Sequence, residues 1–155
     1  MTMRALRSIV LLLLALRISG QTPPDFTGRW RQQANSKTQR QLEVEQKGQN
    51  LRVKTLVTTS EGTRSLEVNY VIGGQETAYK GLDGDAFRSS VHWDGNSSLV
   101  FDTIEREGST EIPQKAVWTL SPDGQILQVD RQVTKSGKST HSMSTYIRQP
   151  GPPTA

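Results

Sequence analysis

The chain has 155 residues, no cysteine and a formal net charge of +4. Much of that charge sits in the first 20 residues, because removing Arg4, Arg7 and Arg17 from the 19 basic residues leaves 16 against 15 acidic ones. A near-neutral remainder has no electrostatic footprint for nucleic acid, and a chain without cysteine must hold its fold by packing alone, without disulfides.

Met1–Gly20 reads as a secretion signal. Arg4 and Arg7 form a positive start, Ile9–Leu16 an apolar run, and Ser19-Gly20 a small-residue cleavage site before Gln21. The run is too short to span a bilayer of about 30 Å as a helix, and Arg17 ends it. The expectation is a protein that is secreted or periplasmic after cleavage near Gly20/Gln21, with no membrane span thereafter. With no cysteine near the cleavage site, an anchor through a lipidated cysteine is excluded.

After the signal, Phe26-Thr27-Gly28-Arg29-Trp30 opens the first strand, and Ala34–Thr38 has the composition for one helical turn. Leu42 and Val44 alternate with polar residues, then Lys47–Asn50 turns the chain into Leu51, Val53, Thr55 and Val57. This period-two pattern with a glycine turn is a hairpin. Leu66, Val68, Tyr70 and Ile72 form the next alternating set, and Gly73-Gly74 leads to a short strand at Thr77–Lys80. Phe87, Ser89, Val91 and Trp93 reach Asp94-Gly95-Asn96, where Asp-Gly supplies the positive φ of a tight hairpin, and Ser98–Glu105 returns. Glu111–Leu120 passes through Ser121-Pro122-Asp123-Gly124 into Ile126–Val133, and Lys135–Lys138 joins that strand to Ser139–Gln149.

No connection is long enough for a crossover helix, so neighbouring strands should be antiparallel. About ten strands in up-and-down order favour an all-β fold, a single closed antiparallel barrel of about 8–10 strands that leaves no exposed edges. The organisation is then a signal (1–20), a barrel domain (21–149) and a Pro/Gly-rich tail (150–155) that adds to no sheet and is expected to be disordered. Few large apolar residues and much Gln, Ser and Thr predict a thin core or a partly polar interior.

Phe26–Trp30, the Trp93-Asp94-Gly95 hairpin, Trp118–Gly124 and Val129-Asp130-Arg131, in that order and spacing, resemble small secreted bacterial lipocalin-like domains. These belong to the calycin group, with lipocalins and fatty-acid-binding proteins, and the resemblance runs from Phe26 to about Gln149. It implies a barrel around a cavity for a small apolar or amphipathic ligand. It also implies that Trp30, entered through Gly28, closes the barrel floor beneath an arginine from a late strand. A last-strand Arg-x-Tyr that grips a carboxylate in fatty-acid-binding proteins is matched here by Tyr146, with Ser144 where the arginine would stand.

Side-chain alternation gives independent candidates. Arg131 shares a strand face with Leu127, Val129 and Val133, and Arg64 with Leu66, Val68 and Tyr70. A charge pointing inward needs a partner. A bound anion or an internal carboxylate such as Glu105 would serve Arg131; otherwise it packs over Trp30 or emerges at the rim with its head in water. For Tyr146 alternation opposes the resemblance, since His141, Met143 and Ile147 form the more apolar set. Trp93, Trp118, Tyr70, Phe87 and Phe101 either line a ligand pocket or fill the core.

Catalytic chemistry finds little support. His92 and His141 are the only histidines, with no ligand spacing for zinc, and a lone barrel histidine on haem is less expected than a surface one. No serine is marked as a nucleophile. Asp83-Gly84-Asp85 lacks the further ligands of a calcium loop and reads as a turn. Asn96-Ser97-Ser98 is a glycosylation sequon on a turn, relevant only in a eukaryote.

No catalytic residue, metal or cofactor is therefore expected. The leading expectation is a non-catalytic carrier contacting its ligand through Arg131, Tyr146, Arg64, Tyr70 and Trp118. The alternative is a structural or protein-interaction barrel with a filled core, and an enzyme comes third.

Overall fold

The computed structural model describes residues 20–34 and 36–154. Apart from Gly20, the expected signal lies outside the described residues. Ten strands follow one another: β1 (Gly28–Gln32), β2 (Gln39–Lys47), β3 (Asn50–Thr59), β4 (Gly62–Val71), β5 (Thr77–Lys80), β6 (Ala86–Asp94), β7 (Ser98–Glu107), β8 (Thr110–Leu120), β9 (Ile126–Lys135) and β10 (Lys138–Gln149). They form one sheet in the order β4-β3-β2-β1-β10-β9-β8-β7-β6-β5, every ladder antiparallel. The sequence order is therefore the spatial order, with the two ends of the chain brought together where β1 pairs β10.

Two expectations need correction. Ser36–Thr38 is a bend and not a helical turn, since the Ser36 hydroxyl takes the Thr38 amide at 3.0 Å, an alternative to helical pairing. The barrel is also not fully closed. β4 and β5 are the sheet edges, and in place of a ladder the gap is spanned by contacts that include an isolated bridge between Ile72 and Val91, the Gly73 amide on the Val91 carbonyl (2.7 Å), and the Thr77 hydroxyl on the Asn69 carbonyl (3.4 Å). The physical reason is length: β5 has 4 residues against the 10 of β4, and Gly73-Gly74 carries the chain away before a ladder can form.

The barrel has a sealed end and an open one. Phe26 and Trp30 are wholly buried at the sealed end, where Phe26 lies 6.2 Å from Trp93 and 6.0 Å from Trp118 between ring centres. The Trp30 indole donates to the Phe26 carbonyl (3.0 Å), and the Phe26 amide donates to Oε1 of Gln46 (3.0 Å), so the segment before β1 is tied across the floor. Arg148 of β10 lies over the Trp30 ring, its guanidinium carbon 4.2 Å from the centroid. It donates to the Thr27 carbonyl (2.7 Å) and, from the β8–β9 turn, to the Gly124 carbonyl (2.8 Å). This is the late-strand arginine that the resemblance implied, and its position corrects the reading that would have set Arg131 over Trp30. Gly28 makes the approach feasible: a β-carbon there would collide with the Arg148 guanidinium.

Outside the barrel, residues 150–154 add no strand. The Thr154 carbonyl accepts from Arg52 (2.9 Å) and its hydroxyl donates to Glu43, whose carboxylate is thereby covered on the outer face of β2.

Arg148→Ala deletes two charge-assisted hydrogen bonds and the cation–π contact, so denaturant unfolding should show a loss of about 2–4 kcal/mol. Gly28→Ala should cost about 1–2 kcal/mol. Because both disturb one clamp, the double variant should lose less than the sum, which a double-mutant cycle would read directly.

Candidate functional site

Above the floor the interior is incompletely filled. An inner chamber of about 200 Å³ is walled by Leu42, Val53, Phe101, Trp118 and Val129, among others. It adjoins an outer chamber of about 400 Å³ at the mouth, with Thr55, Tyr79, Phe87 and Arg131 common to both. The volumes and the lining suit a small-molecule site, with the inner chamber mostly apolar and the outer one more polar.

One wall is aromatic from floor to mouth. Trp118 packs on Phe101 (4.7 Å between centres), Phe101 meets Tyr70 edge-on (5.4 Å), Tyr70 meets Tyr79 edge-on (6.1 Å), and Tyr79 stacks on Phe87 (5.4 Å). These residues come from β4 through β8, so the ribbon lines the wall beside the β4–β5 gap. Edge-on and stacked aromatic pairs fix ring orientations while leaving their remaining faces for a guest.

Polar groups lie above the deepest apolar level. Tyr79 shares a hydrogen bond with Ser89 (3.1 Å), and Ser89 with Thr103 (2.7 Å), although Ser89 is almost completely buried. On the other side Arg131 donates to Gln114, and Gln114 donates to Glu105. The internal carboxylate expected for Arg131 is thus present, but the Gln114 amide stands between the two charges. At the mouth, Arg40, Arg64 and Arg131 line the outer chamber with Asp83 and Glu105. Arg64 also donates to the Leu82 carbonyl (3.2 Å) and so holds the β5–β6 turn.

Four of the five sequence-derived ligand candidates line this space: Tyr70 and Trp118 the inner chamber, Arg64 the outer one, and Arg131 both. Tyr146 points inward, as the resemblance implied against the apolar alternation; Met143 and Ile147 are on the exposed face. It is buried in the core and lines neither chamber, with Leu127 and Gln32 as its cross-strand neighbours. Trp30 and Gly28 are floor residues.

Sequence reasoning missed Arg40, Gln114, Ser89 and Thr103. Each has the inward parity of an apolar neighbour on its strand, Leu42, Ala116, Val91 and Phe101 respectively, and that was the available signal. His92 and His141 face outward, each beside an aspartate, Asp102 (3.5 Å) and Asp130, and are remote from the chambers in strand parity. No group of three or more potential metal ligands occurs among the described residues, nor is any described helix long and apolar enough to cross a membrane.

No protein-family model matches the sequence, and no curated protein matches it. Solved structures do match. The chain is similar to As-p18, an extracellular fatty acid binding protein, with a TM-score of 0.59 and 13% identity over 83% of this chain and 100% of that one. It is similar to the zebrafish ileal bile acid-binding protein complexed with cholic acid, with a TM-score of 0.56 and 12% identity over 80% and 98% of the two chains. It is similar as well to secretory abundant heat soluble protein 4 from Ramazzottius varieornatus, with a TM-score of 0.62 and 15% identity over 84% and 99%. The shared feature is the fold: this chain is an all-β, nearly closed ten-stranded antiparallel barrel.

Burial, and then the neighbouring Tyr79 phenol, push the Tyr70 pKa far above the ordinary phenol value of 10.0. Burial raises Tyr146 too, against the opposing charges of Arg40 and Arg131. Both phenols hold their protons in the folded state where the unfolded chain would release them. Their contribution to stability is therefore complete below about pH 10 and falls as pH rises beyond it. An absorbance titration should show phenolate from these two residues appearing together with alkaline unfolding, and Tyr70→Phe should flatten the stability decline above pH 10.

Proposed function

We propose that the protein is an exported, non-catalytic carrier that holds a small amphipathic ligand in its barrel, the apolar part in the inner chamber and an anionic head at the mouth. The observation that carries this reading is the adjoining of the two chambers: an aromatic and aliphatic pocket that opens on Arg40, Arg64 and Arg131. Apolar surface gives affinity without direction, whereas the arginines fix which end of a guest faces the solvent. Arg131 is the anchor because it reaches both chambers. The Gln114 amide occupies part of its guanidinium and leaves further N–H donors for a guest oxygen. Two of the similar structures are of proteins named for binding fatty acids and bile acids, which supports a ligand of this kind here. An interior filled by its own side chains, the competing arrangement, would leave no such pair of chambers.

Export rests on Met1–Gly20. The protein recovered from the exported fraction should begin at Gln21, which N-terminal sequencing or intact mass would read; a chain retaining Met1 there would remove this part of the proposal.

Binding is tested by native mass spectrometry of protein from that fraction, with solvent extraction of any co-purified molecule, and by titration with two fluorescent probes. The anionic probe 1-anilinonaphthalene-8-sulfonate should bind in the barrel and lose about tenfold in affinity in Arg131→Gln, the scale of one charge-assisted contact. Uncharged Nile red should bind both forms within about twofold. Protein that is always empty and takes up neither probe would overturn the carrier reading in favour of the filled interaction barrel.

A further inference from the structure

The floor and the mouth account for an apolar tail and an anionic head, but not for the hydroxyls between them. On β7 the inward positions descend from Glu105 at the mouth through Thr103 to Phe101 and Leu99. Thr103 thus stands one inward step, about 7 Å, below the mouth carboxylate. At that level its cross-strand neighbours are Ser89 and Gln114, so three adjacent strands present polar side chains where an interior built only for hydrocarbon would present aliphatic ones.

The hydrogen-bond count of this group is incomplete. Tyr79, Ser89 and Thr103 carry three hydroxyl protons, and the bonds among them, Tyr79 with Ser89 and Ser89 with Thr103, use two. One donor remains; in both arrangements that do not strand it on the buried Ser89 it sits at an end of the ladder, on Tyr79 or on Thr103, and both of those residues line the inner chamber. Tyr70 and Thr55 line the same chamber. Burying hydroxyls beside an apolar pocket is costly unless they find partners, and a plain alkyl chain offers none.

We infer that the ligand carries a hydrogen-bonding oxygen, a hydroxyl or a keto group, partway along its apolar body, and that the Tyr79–Ser89–Thr103 ladder recognises it. The guest is then a hydroxy or oxo amphipathic acid, not an unsubstituted fatty acid. This rests on the carrier reading above and narrows its ligand class. A site that hydrogen-bonds a substrate oxygen discriminates strongly against the analogue that lacks it, because its own polar groups are then left unpaired.

The experiment is calorimetric titration of the full-length mature protein with dodecanoate and a series of monohydroxydodecanoates in which the hydroxyl moves along the chain. The expected result is a mid-chain hydroxy acid binding about tenfold tighter than dodecanoate despite being the less hydrophobic molecule, with the terminal isomers showing no such gain. In Ser89→Ala and Thr103→Val the preference for the mid-chain hydroxy acid over dodecanoate should fall to about twofold or less. Should every isomer bind more weakly than dodecanoate, the inference is overturned and the carrier reading stands. If none of the acids binds, and neither fluorescent probe does, both fail. Should a variant not fold, the isomer series on the unaltered protein decides alone.

Discussion

The contact on which the barrel depends is Arg148 over Trp30. Strand order makes β1 and β10 neighbours, but backbone pairing between a five-residue strand and its partner would be a weak join for the two ends of a chain without disulfides. The guanidinium adds what the ladder lacks. It covers the buried indole, draws in the carbonyl of Thr27 ahead of β1, and reaches across to the turn between β8 and β9. Three parts of the chain far apart in sequence thereby meet at one side chain, and Gly28 is the absence of a side chain that lets it in. With the floor sealed, the volume inside the barrel opens at the other end, and that asymmetry is what gives a guest an inner and an outer end.

Much of this was legible in alternation and turns. All ten strands appear within a few residues of the segments that period-two reading marks, because each hairpin is short and each turn carries its own chemistry; Gly95, at a φ of 59°, does what Asp-Gly promised. Strand β10 shows where the rule fails. Its apolar residues Met143 and Ile147 face outward while Ser142, Ser144 and Tyr146 share the inward face, so burial of the more apolar set gave the wrong orientation. The rule assumes that the inside is drier than the outside, and near the mouth of a partly filled barrel it is not. The arginine over Trp30 was illegible for a different reason: Arg131 and Arg148 are both inward and late, and only the height along the barrel, set by register around the whole sheet, separates them.

The gap between β4 and β5 follows from the same local economy of sequence. A glycine pair and a four-residue strand cannot supply a ladder to a ten-residue partner. The Tyr70, Tyr79 and Phe87 rings line this part of the wall, so the two edges are joined by aromatic packing where they are not joined by backbone. A join of that kind opens at lower cost than a ladder, since ring contacts are lost without stranding amide groups from long-held partners.

The interior as a whole is not what stability alone would select. Replacing Ser89, Thr103 and Gln114 with aliphatic residues of similar volume would remove the obligation to satisfy buried polar atoms and add apolar area to a thin core. Instead the chain satisfies them: no fully buried side-chain nitrogen or oxygen among the described residues lacks a partner. Doing so takes an uninterrupted set of contacts, Tyr79 to Ser89 to Thr103 on one wall and Glu105 to Gln114 to Arg131 on the other. A half-satisfied network would be worse than an apolar interior, and the proposed carrier role gives a reason for polar side chains to be held at this level. Both networks reach the chamber lining, through Tyr79 and Thr103 on one wall and Arg131 on the other, and under the proposed carrier role the distance between them is the measure that a guest would have to match.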